Sequence, residues 1–171
     1  MNKYKGFAPI ASATAKILIL GSMPSVASIE KQQYYGHPRN GFWPIMGELF
    51  GAHPELDYQQ RISILLDNYI AIWDVLQSCQ REGSADASIQ KDSICINDFR
   101  TFFLSHQQIT TVLFNGKSAE NLYKQKVLPQ LKPLATTFNY HGLPSTSPAY
   151  AALTLNQKLM LWKTAITTKY D

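Results

Sequence analysis

Two asparagines and a run of ring-bearing side chains are where this 171-residue chain could do chemistry. Asn115 ends the apolar run Thr111–Phe114 and directly precedes Gly116, while Asn40 lies in the stretch Gln33-Tyr34-Tyr35-Gly36-His37-Pro38-Arg39-Asn40-Gly41-Phe42-Trp43. A carboxamide presents an acceptor beside a donor, so either residue could orient water or read a ligand edge made of C=O and N–H. Both also suit plainer work as turn or helix-cap groups, because a short amide readily accepts from backbone N–H. Around Asn40, Tyr35 offers a stacking face and His37 a group that could touch phosphate or serve as a local hydrogen-bonder. Tyr34 and Trp43 read as anchors. Further along, Leu143-Pro144-Ser145-Thr146-Ser147-Pro148-Ala149-Tyr150 supplies short hydroxyls on Ser145, Thr146 and Ser147, which with exposed backbone N–H groups suit phosphate oxygens.

These groups need elements to hold them. Ile17-Leu18-Ile19-Leu20 followed by Gly21-Ser22-Met23-Pro24-Ser25 reads as a buried parallel strand, about Lys16–Leu20, that stops at a tight turn. The stretch that follows, about twenty residues without an evident periodicity, is too long and too rich in rings and amides for a plain connector. Helical spacing follows over Phe42–Phe50, Asp57–Asp67, Asn97–His106, Gly116–Lys126 and Thr154–Thr167. Further strands are predicted at Tyr69–Trp73, Thr111–Phe114 and Leu134–Asn139, and Leu76–Ile96 reads as an excursion loop. Alternating strands and helices argue for an α/β chain, a three-layer α/β/α sandwich around a central, mainly parallel four-stranded sheet. The loops after Leu20, Phe114 and Asn139 then meet at one edge, where ligands bind in such sheets.

Composition narrows the classes. With 45% hydrophobic residues, residues 1–171 are expected to form one domain with a sizeable core. Cys79 and Cys95 are too few and too far apart for a cysteine-based zinc or iron–sulfur site. No run is long and apolar enough for a membrane span and no secretory signal leads the chain, so a cytoplasmic, membrane-free protein is expected. The net charge of +4 is mild, but Asn121–Tyr170 holds six lysines and no acid. That imbalance points either to a polyanion-facing surface, with Lys132 and Lys158 as its candidates, or to a solvated lysine face. A nucleotide-binding enzyme would show a glycine-rich phosphate loop, and Gly-Ser-Met-Pro-Ser is not one.

Gly21-Ser22-Met23-Pro24, with an aromatic residue further on, resembles the first motif of the uracil-DNA glycosylase superfamily. The Gln33–Trp43 stretch looks most like its hypoxanthine (deoxyinosine) DNA glycosylase branch, and the Pro144–Tyr150 loop resembles the second motif. The resemblance spans essentially the whole chain. It implies a monofunctional enzyme that flips a deaminated base out of double-stranded DNA and hydrolyses its N-glycosidic bond, leaving an abasic site. Hypoxanthine is the implied base, with uracil or a mismatched thymine as the alternative, since an amide cannot separate hypoxanthine from uracil by their shared O=C–N–H edge. The implied roles are catalysis by Asn40, base reading by Asn115, stacking by Tyr35, and a base-site wall of Ser22, Met23 and His37. Ser145, Thr146 and Ser147 would grip the DNA backbone, with Lys132 and Lys158 beside the track. Met23 stands where related branches carry Asn or Asp, and Leu143 where the uracil branch carries His. Both departures move the chemistry toward Asn40. No metal or other cofactor is implied, and the protein is expected to act as a monomer. From other classes, a small-molecule α/β enzyme or a non-catalytic nucleic-acid binder stays open.

Overall fold

The first long aliphatic run of the chain forms one of three wholly buried strands. In the computed structural model, which describes residues 2–167, every residue of Ile17–Gly21 (β2) is buried, because strands flank both its edges. Ile70–Asp74 (β3) pairs parallel on one side and Thr111–Asn115 (β6) on the other. Asn139–Leu143 (β7) then pairs parallel with β6, giving the order β3-β2-β6-β7. Val26–Lys31 (α1), Phe42–Phe50 (α2) and Tyr58–Asp67 (α3) lie between β2 and β3. Phe99–Ser105 (α4) precedes β6. Lys117–Leu122 (α5) continues through a wider turn, Tyr123–Val127, into Leu128–Leu131 (α6) before β7.

Parallel crossovers are right-handed. The connection from β2 to β3 runs one way along the sheet, and those from β3 to β6 and from β6 to β7 run the other way. Handedness therefore puts α1–α3 on one face and α4–α6 on the opposite face. Leu155–Thr167 (α7) joins the first group, where its Trp162 meets Phe42 of α2 edge-on at 6.3 Å. On the other face Phe99 contacts both Trp73 and Tyr123, and Tyr123 contacts Phe114. The α/β/α sandwich around a parallel sheet of four strands is thus present. The direction of winding reverses between β2 and β6, and such a switch point opens a crevice at the carboxyl ends of the strands.

Three stretches differ from the sequence reading. Leu76–Ile96 is not only a loop: Leu76–Arg81 (β4) pairs antiparallel with Asn2–Lys5 (β1) and with Cys95–Ile96 (β5), forming a second small sheet. Its strands are short and largely polar, so periodicity gives them no signal. The fourth strand of the main sheet is Asn139–Leu143, whereas Leu134–Thr137 forms a helical turn. Here the apolar run misleads because the true strand lies at the sheet edge, where little of it is buried. The segment after β2 contains a short helix, α1, capped by Ser25, whose hydroxyl accepts from the Ser28 N–H at 3.1 Å.

Gly116 turns the chain from β6 into α5 with φ of 96°, and a Cβ there would lie 2.9 Å from the Ser145 Cβ. Only glycine meets both conditions without strain. Gly116→Ala is expected to lower the unfolding free energy by about 1–3 kcal/mol, measured by urea titration.

Candidate active site

The crevice at the switch point is a cleft of about 610 Å³, bordered by the turn after β2, the segment before α2, the ends of β3 and β6, and the loops 84–87 and 145–150. That size falls within the range of small-ligand sites. Tyr35, His37, Asn40, Asn115, Ser22, Met23 and Ser145–Ser147 all border it, so residues far apart in sequence meet there.

Thr146 sews the two halves together. Its N–H donates to Asn115 Oδ1 at 2.9 Å, and Asn115 Nδ2 donates to Thr146 Oγ1 at 2.9 Å. The Thr146 carbonyl accepts from the Gly41 N–H at 2.8 Å, which places Asn40 beside the end of β6. Thr146 is accordingly buried at 2% exposure, so the less buried hydroxyls of this loop are those of Ser145 and Ser147. These already accept from the N–H groups of Ser147 and Ala149, which fixes the loop, and each hydroxyl retains an O–H donor.

Asn40 both caps and faces the cleft. Its Oδ1 accepts from the Phe42 N–H at 2.9 Å at the start of α2, and its own N–H donates to the His37 carbonyl. The cap locks the side chain while leaving one Oδ1 lone pair and both Nδ2 hydrogens without a partner among the described residues. His37 Nδ1 accepts from the Arg39 N–H at 3.1 Å, so one nitrogen of that ring shapes the turn. Tyr35 sits at φ of 55°, its ring stacked on Phe42 at 3.9 Å. Burial drives the acidity of its hydroxyl far down, Asp74 adds to the effect and nearby Asn115 opposes it. The hydroxyl is therefore a permanent donor. Tyr34 and Trp43 are anchors: Tyr34 donates to the Ala8 carbonyl and Trp43 Nε1 to the Tyr34 carbonyl.

Residues 8–166 match the model of the uracil DNA glycosylase superfamily. The chain belongs to that superfamily. A hypoxanthine DNA glycosylase of Methanosarcina barkeri is 41% identical over 118 residues, covering 68% of this chain and 73% of the relative. One of Methanosarcina acetivorans is 37% identical over 134 residues, covering 73% and 84%. A protein of Methanosarcina acetivorans, solved by NMR in solution as a candidate uracil DNA glycosylase, superposes with a TM-score of 0.75 at 32% identity. That match covers 95% of this chain and 98% of the other.

Two lysines of the sequence reading take other places in this glycosylase-superfamily fold. Lys158 is buried at 5% exposure, and its ammonium donates to the carbonyls of Tyr150 at 2.7 Å and Ser147 at 3.3 Å. It braces the loop from behind. Lys132 is exposed, but it follows α6 and leads into the amino end of β7, the sheet edge opposite the cleft. Of the acid-free stretch, Lys169 lies outside the described residues.

The sequence reading missed the acidic side of the cleft. Asp74 ends β3 opposite Gly21 and is buried at 4% exposure. Asp86, from the loop after β4, accepts from the Ser22 hydroxyl at 2.6 Å. Arg81, fully buried, donates from Nη2 to the Pro24 carbonyl, and its Nη1 lies 3.8 Å from Asp86 Oδ1. This network fastens the turn after β2 to the loop after β4. The available signal was positional: an acid directly follows the predicted strand Tyr69–Trp73, at the edge where function gathers. Among the described residues no His, Cys, Asp and Glu cluster is arranged to hold a metal ion.

Burial raises the Asp74 carboxyl most, the negative Asp86 raises it further and Arg81 opposes, leaving it at about 7. Because the folded state holds this proton and the unfolded state releases it near the ordinary value, Asp74 favours folding at low pH. That contribution is lost as pH rises through about 7. Relative to the wild type, Asp74→Asn should gain stability between pH 4 and 8, by about 4 kcal/mol at most, read from denaturant unfolding at each pH. Asn115→Leu strands the buried Thr146 N–H and should cost about 2–4 kcal/mol, whereas Asn115→Asp, which can accept from both Thr146 groups, should remain close to wild type in the same assay.

Proposed function

We propose that this protein is a hypoxanthine DNA glycosylase that acts as a monomer on double-stranded DNA, in one domain and without a cofactor. Two relatives at 41% and 37% identity carry that name. The observation that carries the mechanism is the position of Asn40, locked by its cap bond to Phe42 yet facing the cleft. The neighbouring motif position, Met23, is a buried thioether that cannot polarise water.

Extruding a mispaired deaminated base costs less than extruding a paired one. Ser145 and Ser147 would hold the phosphates on either side, while the cleft receives the base against the Tyr35 side. The N-glycosidic bond breaks as positive charge grows on the sugar and negative charge on the base. Oδ1 of Asn40 accepts a hydrogen bond from the attacking water, and Nδ2 is available to donate to an oxygen or nitrogen of the departing base. An amide has no useful basicity, so its contribution is placement and electrostatics rather than proton abstraction. The proton of the attacking water leaves to solvent. Among the described residues no lysine borders the cleft, in keeping with hydrolysis rather than an imine intermediate.

The test is single-turnover incubation with duplex oligonucleotides carrying hypoxanthine, uracil, xanthine or mismatched thymine, followed by alkaline cleavage at abasic sites. Hypoxanthine should be released fastest; preferential release of uracil or thymine would replace the assigned substrate. Asn40→Asp retains the cap acceptor and should keep wild-type thermal stability. Both it and Asn40→Ala should lower base release by ~10²-fold or more with little change in duplex affinity. Near-normal release by the Ala variant would remove Asn40 from the chemistry.

A further inference from the structure

The floor of the cleft contains two buried polar groups that the mechanism above does not use. Asp74 Oδ2 has no hydrogen-bonding partner among the described residues, and the Tyr35 hydroxyl makes no bond of good geometry, with only the Asn115 amide close to it. The two side chains come together beside Gly21: a Cβ there would sit 2.5 Å from Asp74 Oδ1, the other oxygen of the same carboxyl, and 3.4 Å from the Tyr35 oxygen. All three residues border the cleft. Buried polar atoms are seldom left unpaired, and two that share a cavity wall mark where a ligand supplies the missing partners. The obvious alternative reader, Asn115, has its donor and its acceptor turned onto Thr146. The amide edge that sets a donor beside an acceptor is therefore the one already turned onto Thr146, and Asn115 could offer it to a base only by giving up those bonds.

We propose that the Asp74 carboxyl, as the neutral acid, pairs with the O=C–N–H edge of the extruded base, with the Tyr35 hydroxyl donating beside it. This rests on the glycosylase reading and adds to it the group that meets the base. A neutral carboxyl carries an O–H donor and a C=O acceptor on one edge, which match the carbonyl and N–H of hypoxanthine. An ionised carboxylate only accepts, and would set a negative oxygen against the base carbonyl. Base capture is therefore gated by one proton. Burial and Asp86, from the loop after β4, favour the neutral form, Arg81 of β4 favours the ion, and Tyr34 and Tyr35 approach from the segment before α2. His37 and Asp86 also border the cleft.

Two measurements on the wild type, Asp74→Asn and Asp74→Leu test this from about pH 5.5 to about pH 8: single-turnover release of hypoxanthine from duplex DNA, and calorimetric binding of free hypoxanthine. For the wild type both should fall as pH rises, approaching roughly tenfold per pH unit beyond the ionisation. Asp74→Asn keeps a donor and an acceptor but cannot ionise, so its profile should be nearly flat and should cross above the wild type at the alkaline end. Asp74→Leu should bind free hypoxanthine at least ~10-fold more weakly at the acid end, where the wild-type carboxyl is neutral; should this variant fail to fold, the Asn variant decides. A flat wild-type profile overturns the proposal. So does a wild-type decline that persists in Asp74→Asn, which would place its source outside Asp74. The two readings fail separately. Gated binding of the free base without release from DNA upholds Asp74 and sinks the glycosylase assignment, while release indifferent to Asp74 does the reverse.

Discussion

The site depends first on the pair of hydrogen bonds between Asn115 and Thr146. One partner ends a central strand of the sheet and the other belongs to a loop of Pro and Ser residues with little regular structure of its own. Joined at two points and buried, they form a fixed link of the kind that short loops rarely supply alone. The carbonyl of the same threonine then accepts from Gly41, next to Asn40. The segment before α2 and the loop before α7 are thereby referenced to the rigid end of β6. Lys158 and Trp162 of α7 complete the brace by donating to carbonyls of Ser147, Tyr150 and Pro144.

A second constraint comes from burying charge beside the cleft. Arg81 is enclosed by the Pro24 carbonyl, the Asp86 carboxylate and the face of Tyr4, whose ring centre lies 5.3 Å from the guanidinium. Its rigid fork suits three different partners better than a flexible ammonium would. The result is a wall contributed by the small antiparallel sheet, so the apparent excursion between β4 and β5 is part of the site. Asp74 is less well satisfied. Its carboxyl has burial and a like charge against it, and a single cation at some remove in its favour. Such imbalance is common where a protein retains stability costs for function, and here it falls on the cleft floor.

The alternation of apolar runs and helical spacing was sufficient for the sequence to specify a parallel sheet covered by helices. Ile17–Leu20, Phe42–Phe50 and Thr111–Phe114 are legible because their burial is enforced on both faces or along one helical stripe, and burial selects residue type. The superfamily was legible for another reason: Gly21–Pro24 and the Tyr35–Asn40 stretch are local motifs whose chemistry depends on fixed short spacings. Edge strand β7 and the strands of the second sheet were not legible, since partial burial leaves their composition free.

What only the tertiary structure decided is how each polar side chain is used. No sequence pattern tells that Thr146 faces inward while Ser145 and Ser147 hold the loop surface, or that Lys158 braces a loop while Lys132 stands at the far edge. Asp74 is one acid among many in sequence and becomes singular only through its place opposite Gly21, below Tyr35 and near Asp86. Residue type fixes what a group can donate, accept or ionise. Whether it does so depends on partners brought from distant segments and on water excluded by packing, and both exist only once the chain has folded.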